Sequence, residues 1–456
     1  MSQAAIDSIA APEVRTLSEP RIGAIQGQHP VAYVLFILVN ATLFIRPGEI
    51  FPATESLPIY LWLIAACAAA ALPAVLTQLR WSNLSRNAGV FCVLMLLPAI
   101  FLSHASHFNF YSARYGAIDF SKILLYFLLL IALINTRARL ENLMALTVLF
   151  ITVTAVFALL NYHEIYTLPA LVVLNRADGV PGDDDVIRQL QATGIFSDPN
   201  DFSGILVTAI LATLHFVIKP RTPAARWRWL LVLPILLYAF ALTRSRGGFL
   251  SLMAGAGCLL ICKFGWRNGL KIGTFILPLF LVAFAGRQTN IDVGNKADTA
   301  YGRILLWREG MRMFKAAPFF GHGFDTYAEE ATQVAHNSFV HAYAELGFFG
   351  GTLFLSAFLA PIFSALKFKP KGQSEMLAIT IFSILVAYAV GIFSLSRCYS
   401  NATYLVVGFG CAYCAMQNTS HNLPWMNVNG QLLKRMLKAS VLMFLFIYVF
   451  IRVMTL

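Results

Sequence analysis

Apolar runs long enough to cross a bilayer recur along the whole chain, near 31–45, 58–79, 88–103, 117–135, 142–162, 202–218, 229–242, 249–262, 270–286, 339–366, 376–395, 402–416 and 439–455. A membrane helix needs about 20 mainly apolar residues. Hydrocarbon offers no partner to a backbone N–H or C=O, so each such run must satisfy its own backbone as a helix. The expected fold is therefore an all-α polytopic membrane protein with about 12–13 transmembrane helices. Composition agrees: 58% of the 456 residues are hydrophobic and only 12% are charged, far from the balance of a soluble domain.

The chain divides into a polar segment 1–30, helices over 31–286, a long loop 287–338 and further helices over 339–456. Residues 1–30 lack a basic start, an apolar centre and a small-residue cleavage site, so no removable signal peptide is expected and the segment is placed in the cytoplasm. The connections then alternate in side. The inner ones carry Arg80, Arg86, Arg137, Arg139, Lys219, Arg221, Arg226, Arg228, Lys263, Arg267, Lys271, Lys367, Lys369, Lys371, Lys434, Arg435 and Lys438, as the positive-inside rule requires. Acids gather on the outer side, including Asp183, Asp184 and Asp185, and the outer cations are nearly all arginine. Arginine is always charged and its planar fork suits phosphate, so some outer arginines are expected to hold an anion; pairing with the outer acids is the competing account for any one of them. The net charge of +12 is spread between helices, which speaks for topology and against nucleic acid. Cys411 and Cys414 form a CxxC inside an apolar run with no second ligand pair nearby, so zinc is not expected.

Four stretches concentrate the chemistry. Thr243–Phe249, TRSRGGF, turns between two short apolar runs; at 1.5 Å per residue each run falls short of a core about 30 Å thick, which would seat Arg244 and Arg246 below the outer surface. Charge at that depth is costly and marks function, while Gly247 and Gly248 admit a close neighbour. Snorkelling to the interface is the alternative. Gly302–Lys315 has helical period, with Ile304, Trp307, Met311 and Phe314 on one face and Arg308, Arg312 and Lys315 on another. That is an interfacial amphipathic helix, whose basic face suits lipid headgroups. Arg303 stands at the edge of the apolar face and is expected to point toward the bundle or the lipid boundary rather than solvent. After Pro318 and a flexible Gly321-His322-Gly323, the loop ends in His336-Asn337-Ser338, where Asn337 or Ser338 reads as a helix N-cap. That leaves His336, a side chain that takes up a proton near neutral pH, at the outer mouth of a helix. His341 and Glu345 are one turn apart and read as a structural pair rather than a metal site. In Thr193–Gly204, TGIFSDPNDFSG, Ser197 or Asp198 before Pro199 reads as another N-cap.

GIFSDPNDFSG before one helix, SRGG at a hairpin, YGRxxxW opening an outer loop, a PFFGHGF turn and HNSFxHxxxELGFFG entering the next helix together resemble the bacterial O-antigen ligase and polymerase superfamily. The motifs cover residues 193–351. The resemblance implies an inner-membrane, GT-C-type, inverting, metal-independent glycosyltransferase without cofactor. Its donor would be an undecaprenyl diphosphate-linked glycan and its acceptor lipid A core or another glycan, reached on the periplasmic side among membrane lipids. It implies diphosphate-binding roles for Arg246 and Arg303 and a general-base role for His336. Arg244, Arg308, Arg397, Asn337, Asp198 and Asn200 are the expected substrate-binding residues around them, with helix capping the competing role for Asp198 and Asn200. The superfamily also holds exopolysaccharide polymerases and protein O-glycosylation ligases. A small-anion transporter is the rival of another class; it would favour two matching halves with broken helices, and no internal repeat is present.

Overall fold

The computed structural model describes residues 29–171, 174–177, 186–283, 299–367, 375–418 and 423–455. Residues 1–28, the acids Asp183, Asp184 and Asp185, the stretch 284–298 with Arg287 and Lys296, and Lys369 and Lys371 lie outside them. In chain order come α1 (Pro30–Ile45), α2 (Pro47–Ile50), α3 (Ile59–Gln78), α4 (Trp81–Leu84), α5 (Ala88–Ala105), α6 (Phe110–Leu133) and α7 (Arg137–Tyr162). A small antiparallel hairpin, β1 (Leu174–Ala177) and β2 (Val186–Gln189), precedes α8 (Pro199–Ile218), α9 (Pro223–Thr243), α10 (Arg246–Phe264) and α11 (Trp266–Ala283). Then follow α12 (Thr299–Ala316), α13 (Tyr327–Ala331), α14 (Ser338–Lys367), α15 (Glu375–Gly391), α16 (Asn401–Asn418) and α17 (Gly430–Met454).

Over its described residues each expected apolar run forms a helix, and among the described residues eleven helices are long and apolar enough to cross a membrane. The runs at 270–286 and 402–416 correspond to α11 and α16, which fall short of that apolar length. α11 opens on Trp-Arg-Asn, and α16 has Asn401 at one end and Gln417-Asn418 at the other. Residues Ala402–Cys414 of α16 are all buried, so this helix is wrapped by protein and needs no lipid-compatible ends. α8, α14 and α15 form the centre, with 78%, 72% and 72% of their apolar windows buried, against 17%, 17% and 22% for α3, α9 and α17. The apolar outward faces of those last three are what a lipid-facing rim requires.

α14 is broken where the sequence reads as one helix. Gly347 has φ 65° and ψ −166°, a region that is essentially glycine-only. The break frees two carbonyls and two amides, and the Pro318–Gly323 turn takes all four. His322 N donates to Ala344 O (3.0 Å) and Gly323 N to Glu345 O (3.1 Å), while Phe348 N donates to Pro318 O (2.8 Å) and Phe349 N to Phe319 O (3.1 Å). Irregular backbone survives at such a place only when protein satisfies it. The same turn is braced from the α5–α6 corner, where His107 Nε2 lies 2.9 Å from Gly321 O and His104 Nε2 2.9 Å from Phe324 O. The Gly-His-Gly stretch expected to be flexible is thus a splice clamped on both sides.

Candidate functional site

Two of the motifs are joined directly. Asp198 caps α8, its Oδ1 accepting from Asn200 N (2.8 Å) and from Asn200 Nδ2 (3.0 Å). Asn200 Oδ1 in turn accepts from the Ser245 hydroxyl (2.7 Å), and that hydroxyl caps α10 by accepting from Gly248 N (3.1 Å). A Cβ on Gly248 would stand 2.4 Å from Ser203 Oγ, and one on Gly247 1.9 Å from Ser394 Oγ. The close neighbours that the two glycines admit are therefore serines of α8 and of the turn after α15.

Arg244 and Arg246 flank this cap. Arg244 holds a left-handed φ of 48° as the C-cap of α9, and Arg246 is the first residue of α10. A cation at a helix amino terminus is opposed by the helix dipole, by roughly 0.3–1 kcal/mol where exposed. The same amino terminus attracts an anion, so one ligand of negative charge would answer both groups. α9 and α10 run 21 and 19 residues, but Arg226 and Arg228 open α9 and Lys263 closes α10, so the apolar part of each stays short of the core. At the corner between them Arg246 is half-buried, whereas Arg244, expected at the same depth, is exposed.

These residues border a cavity of about 980 Å³, to which the start of α8, the α9–α10 corner, α12, the loop between α13 and α14, the end of α15 with the turn after it, and the end of α17 all contribute. Of the sequence-derived candidates it gathers Asp198, Asn200, Arg244, Arg246, Arg303, Arg308 and His336. Consecutive residues Gly302–Glu309 of α12 border it, so the cavity wraps that helix. This is why Arg308, on the face suited to headgroups, shares it with Arg303. Four arginines meet two carboxylates, Asp198 and Glu309, and Glu309 is already held by Arg312 at 2.8 Å. His336 has φ 49°, a left-handed conformation that histidine tolerates better than most residues. The adjoining Asn337 Oδ1 caps α14 through Phe339 N (3.0 Å) and Val340 N (3.1 Å).

Two candidates stand outside the wall. Asn337 is fully buried by its capping role. Arg397 forks onto the buried carboxylate of Asp201 through Nε and an Nη. Burial alone would lower the Arg397 pKa, but the hydrogen bond and charge of Asp201 raise it above its ordinary value, so the guanidinium is committed to a structural pair. His341 Nε2 lies 2.9 Å from Glu345 Oε1, the expected pair, and among the described residues no three His, Cys, Asp or Glu side chains converge as metal ligands.

The sequence reading missed Trp307 and Tyr327. Trp307 borders the cavity, and its buried indole N–H has no partner among the described residues; its place on an apolar stripe concealed it as core. A buried unpaired donor calls for an explanation, and a ligand acceptor is one. Tyr327 is fully buried. Its backbone N–H donates to Glu345 Oε1 (3.0 Å) and its hydroxyl to Leu306 O (2.7 Å). It thereby struts α14 against the cavity-lining turn of α12, and burial pushes its pKa up, keeping it a donor.

Comparison with known proteins agrees with the motifs. Residues 230–355 match the Wzy_C family, described as O-antigen ligase, a span that holds SRGG, YGR, the splice turn and His336. An uncharacterized protein of Haemophilus influenzae is 25% identical over 210 residues, which cover 39% of this chain and 52% of that protein. The chain thus spans about half the length of this relative.

Proposed function

The chain belongs to the O-antigen ligase superfamily through residues 230–355, and on that premise we propose that it is a membrane glycosyltransferase. It moves a glycan from an undecaprenyl diphosphate carrier to an acceptor hydroxyl at the periplasmic face of the inner membrane. Lipid A core is the acceptor in the ligase reading. The observation that carries this is the meeting of Arg244, Arg246, Arg303 and Arg308 with His336 in one cavity at the amino terminus of α10. In the proposed step His336 takes the proton of the acceptor hydroxyl, whose oxygen attacks the anomeric carbon. The carbon–oxygen bond to the carrier breaks with inversion, and undecaprenyl diphosphate leaves. The negative charge it gains is met by Arg246 and Arg303, preorganised donors of the kind that stabilise a developing anion most. A GT-C-type mechanism without metal follows from assigning that task to arginine. The apolar wall of Ile304, Leu305, Val390, Phe393 and Phe450 suits the polyprenyl chain.

The test is transfer by the purified protein from an undecaprenyl diphosphate-linked oligosaccharide, with and without lipid A core, and with a chelator control. Product on lipid A core marks a ligase; a ladder on the carrier marks a polymerase. Arg246→Ala and Arg303→Ala are expected to abolish transfer while Arg312→Ala, outside the cavity wall, retains it. His336→Ala is expected to bind donor without turnover. Equal loss in all three arginine variants, or failure of the His336 variant to bind donor, would refute the assignments.

A further inference from the structure

A second cavity, of about 540 Å³, opens at the same end of the bundle, between the end of α1 with α2, the start of α3 and the Pro169-Ala170 loop. Its polar wall is Arg46, Glu49, Glu55 and Tyr60, set among Pro47, Pro58 and Pro169, whose rings fix the local backbone. The polar groups are held in place: Arg46 Nη1 donates to Glu49 Oε1 (3.1 Å), and Glu49 Oε2 accepts from Gly194 N (2.7 Å). One cation against two carboxylates gives this wall a formal charge of −1, so a phosphate would be repelled where the first cavity attracts it. Carboxylates, a guanidinium and a tyrosine displayed on a stiff apolar frame are the groups that bind the hydroxyls and the C–H faces of a neutral sugar. A short segment links the two walls without lining both. Gly194 touches the Arg46–Glu49 pair, and Asp198, four residues on, borders the first cavity. Four residues reach at most about 14 Å, within the span of a few linked sugars.

We propose that this second cavity is a glycan subsite, holding sugars distal to the bond that is made; the proposal rests on the reading of the chain as a transferase of lipid-linked glycan. The glycan belongs to either the donor or the acceptor. The full chain in lipid nanodiscs is assayed with single-sugar and longer donors, and separately with short and long acceptors. Leu57→Trp, which sets a bulky ring in the cavity wall, and Glu55→Ala, which removes a carboxylate, are the variants; both residues line the cavity and are exposed, so folding is expected to survive and is checked by thermal unfolding.

Losing one or two hydrogen bonds is expected to raise KM for the long glycan roughly tenfold, with kcat and the single-sugar KM unmoved. A rise with long donors assigns the donor glycan, a rise with long acceptors the acceptor. A parallel measurement follows free oligosaccharide by saturation-transfer NMR, where Leu57→Trp is expected to abolish the signal. Transfer with no length-dependent change and no lost signal overturns the subsite alone. Oligosaccharide binding without any transfer overturns the enzyme reading alone.

Discussion

Gly347→Ala tests the splice that the fold depends on. A Cβ at Gly347 would lie 2.5 Å from Gly321 N and from the carbonyl carbon and oxygen of Phe319, all backbone atoms that no rotamer change can move. The native φ of 65° with ψ −166° adds roughly 1–3 kcal/mol of strain for any residue with a side chain. Retreat of the 317–323 turn would relieve both, but it surrenders the four hydrogen bonds across the break, worth about 0.5–1.5 kcal/mol each or roughly 2–6 kcal/mol together. Either route destabilises the chain by at least about 2 kcal/mol. Gly257→Ala in α10 is the control. Its Cβ meets nothing within 4 Å, and alanine is favoured in a helix by about 1 kcal/mol. Reversible denaturation in mixed micelles, read by tryptophan fluorescence, compares the two. The reasoning fails if Gly347→Ala unfolds within about 1 kcal/mol of the Gly257→Ala variant, since normal packing would then accommodate the methyl group.

Three further outcomes are expected. Arg397→Ala strands the Asp201 carboxylate, whose side chain is 5% exposed, and should cost about 3 kcal/mol, the low end for a broken buried pair because the arginine itself is 43% exposed; adding Asp201→Asn should restore most of it in the same denaturation assay, and a single variant that is stable but binds donor poorly would return Arg397 to the substrate. Trp307→Phe keeps the ring that packs 5.7 Å from Phe450 but removes the unpaired N–H; donor affinity measured by titration should fall about tenfold, the worth of one hydrogen bond, and unchanged affinity would make the tryptophan core. Tyr327→Phe removes only the bond to Leu306 O, so thermal stability should shift little while KM for the donor rises as α12 loosens; a fall in stability with KM intact would reduce the strut to ordinary packing.

The sequence by itself determined the class of fold and most of the ingredients of the site. Long apolar runs leave only helices in hydrocarbon, and periodicity put Arg303 apart from the headgroup face of α12. Capping chemistry likewise narrowed the helix starts to Ser197 or Asp198 and to Asn337 or Ser338, because an N-cap is a local contact between residues adjacent in the chain. Where partners are far apart in sequence, the reading ran out. Nothing local reveals that Arg397 is committed to Asp201, nearly two hundred positions away, or that α14 breaks at Gly347, since a glycine in an apolar helix reads as a tolerated residue until a turn from elsewhere supplies the missing hydrogen bonds. Trp307 was hidden because an aromatic on an apolar stripe reads as core until the residue is seen to border a cavity, and nothing local shows that the Tyr327 hydroxyl reaches a carbonyl of another helix. Only the tertiary structure decided which of the outer arginines share a cavity with His336. That grouping is set by how the starts of α8 and α10, the helix α12 and the loop before α14 pack, and packing is a property of contacts between segments that the order of residues within any one of them does not encode.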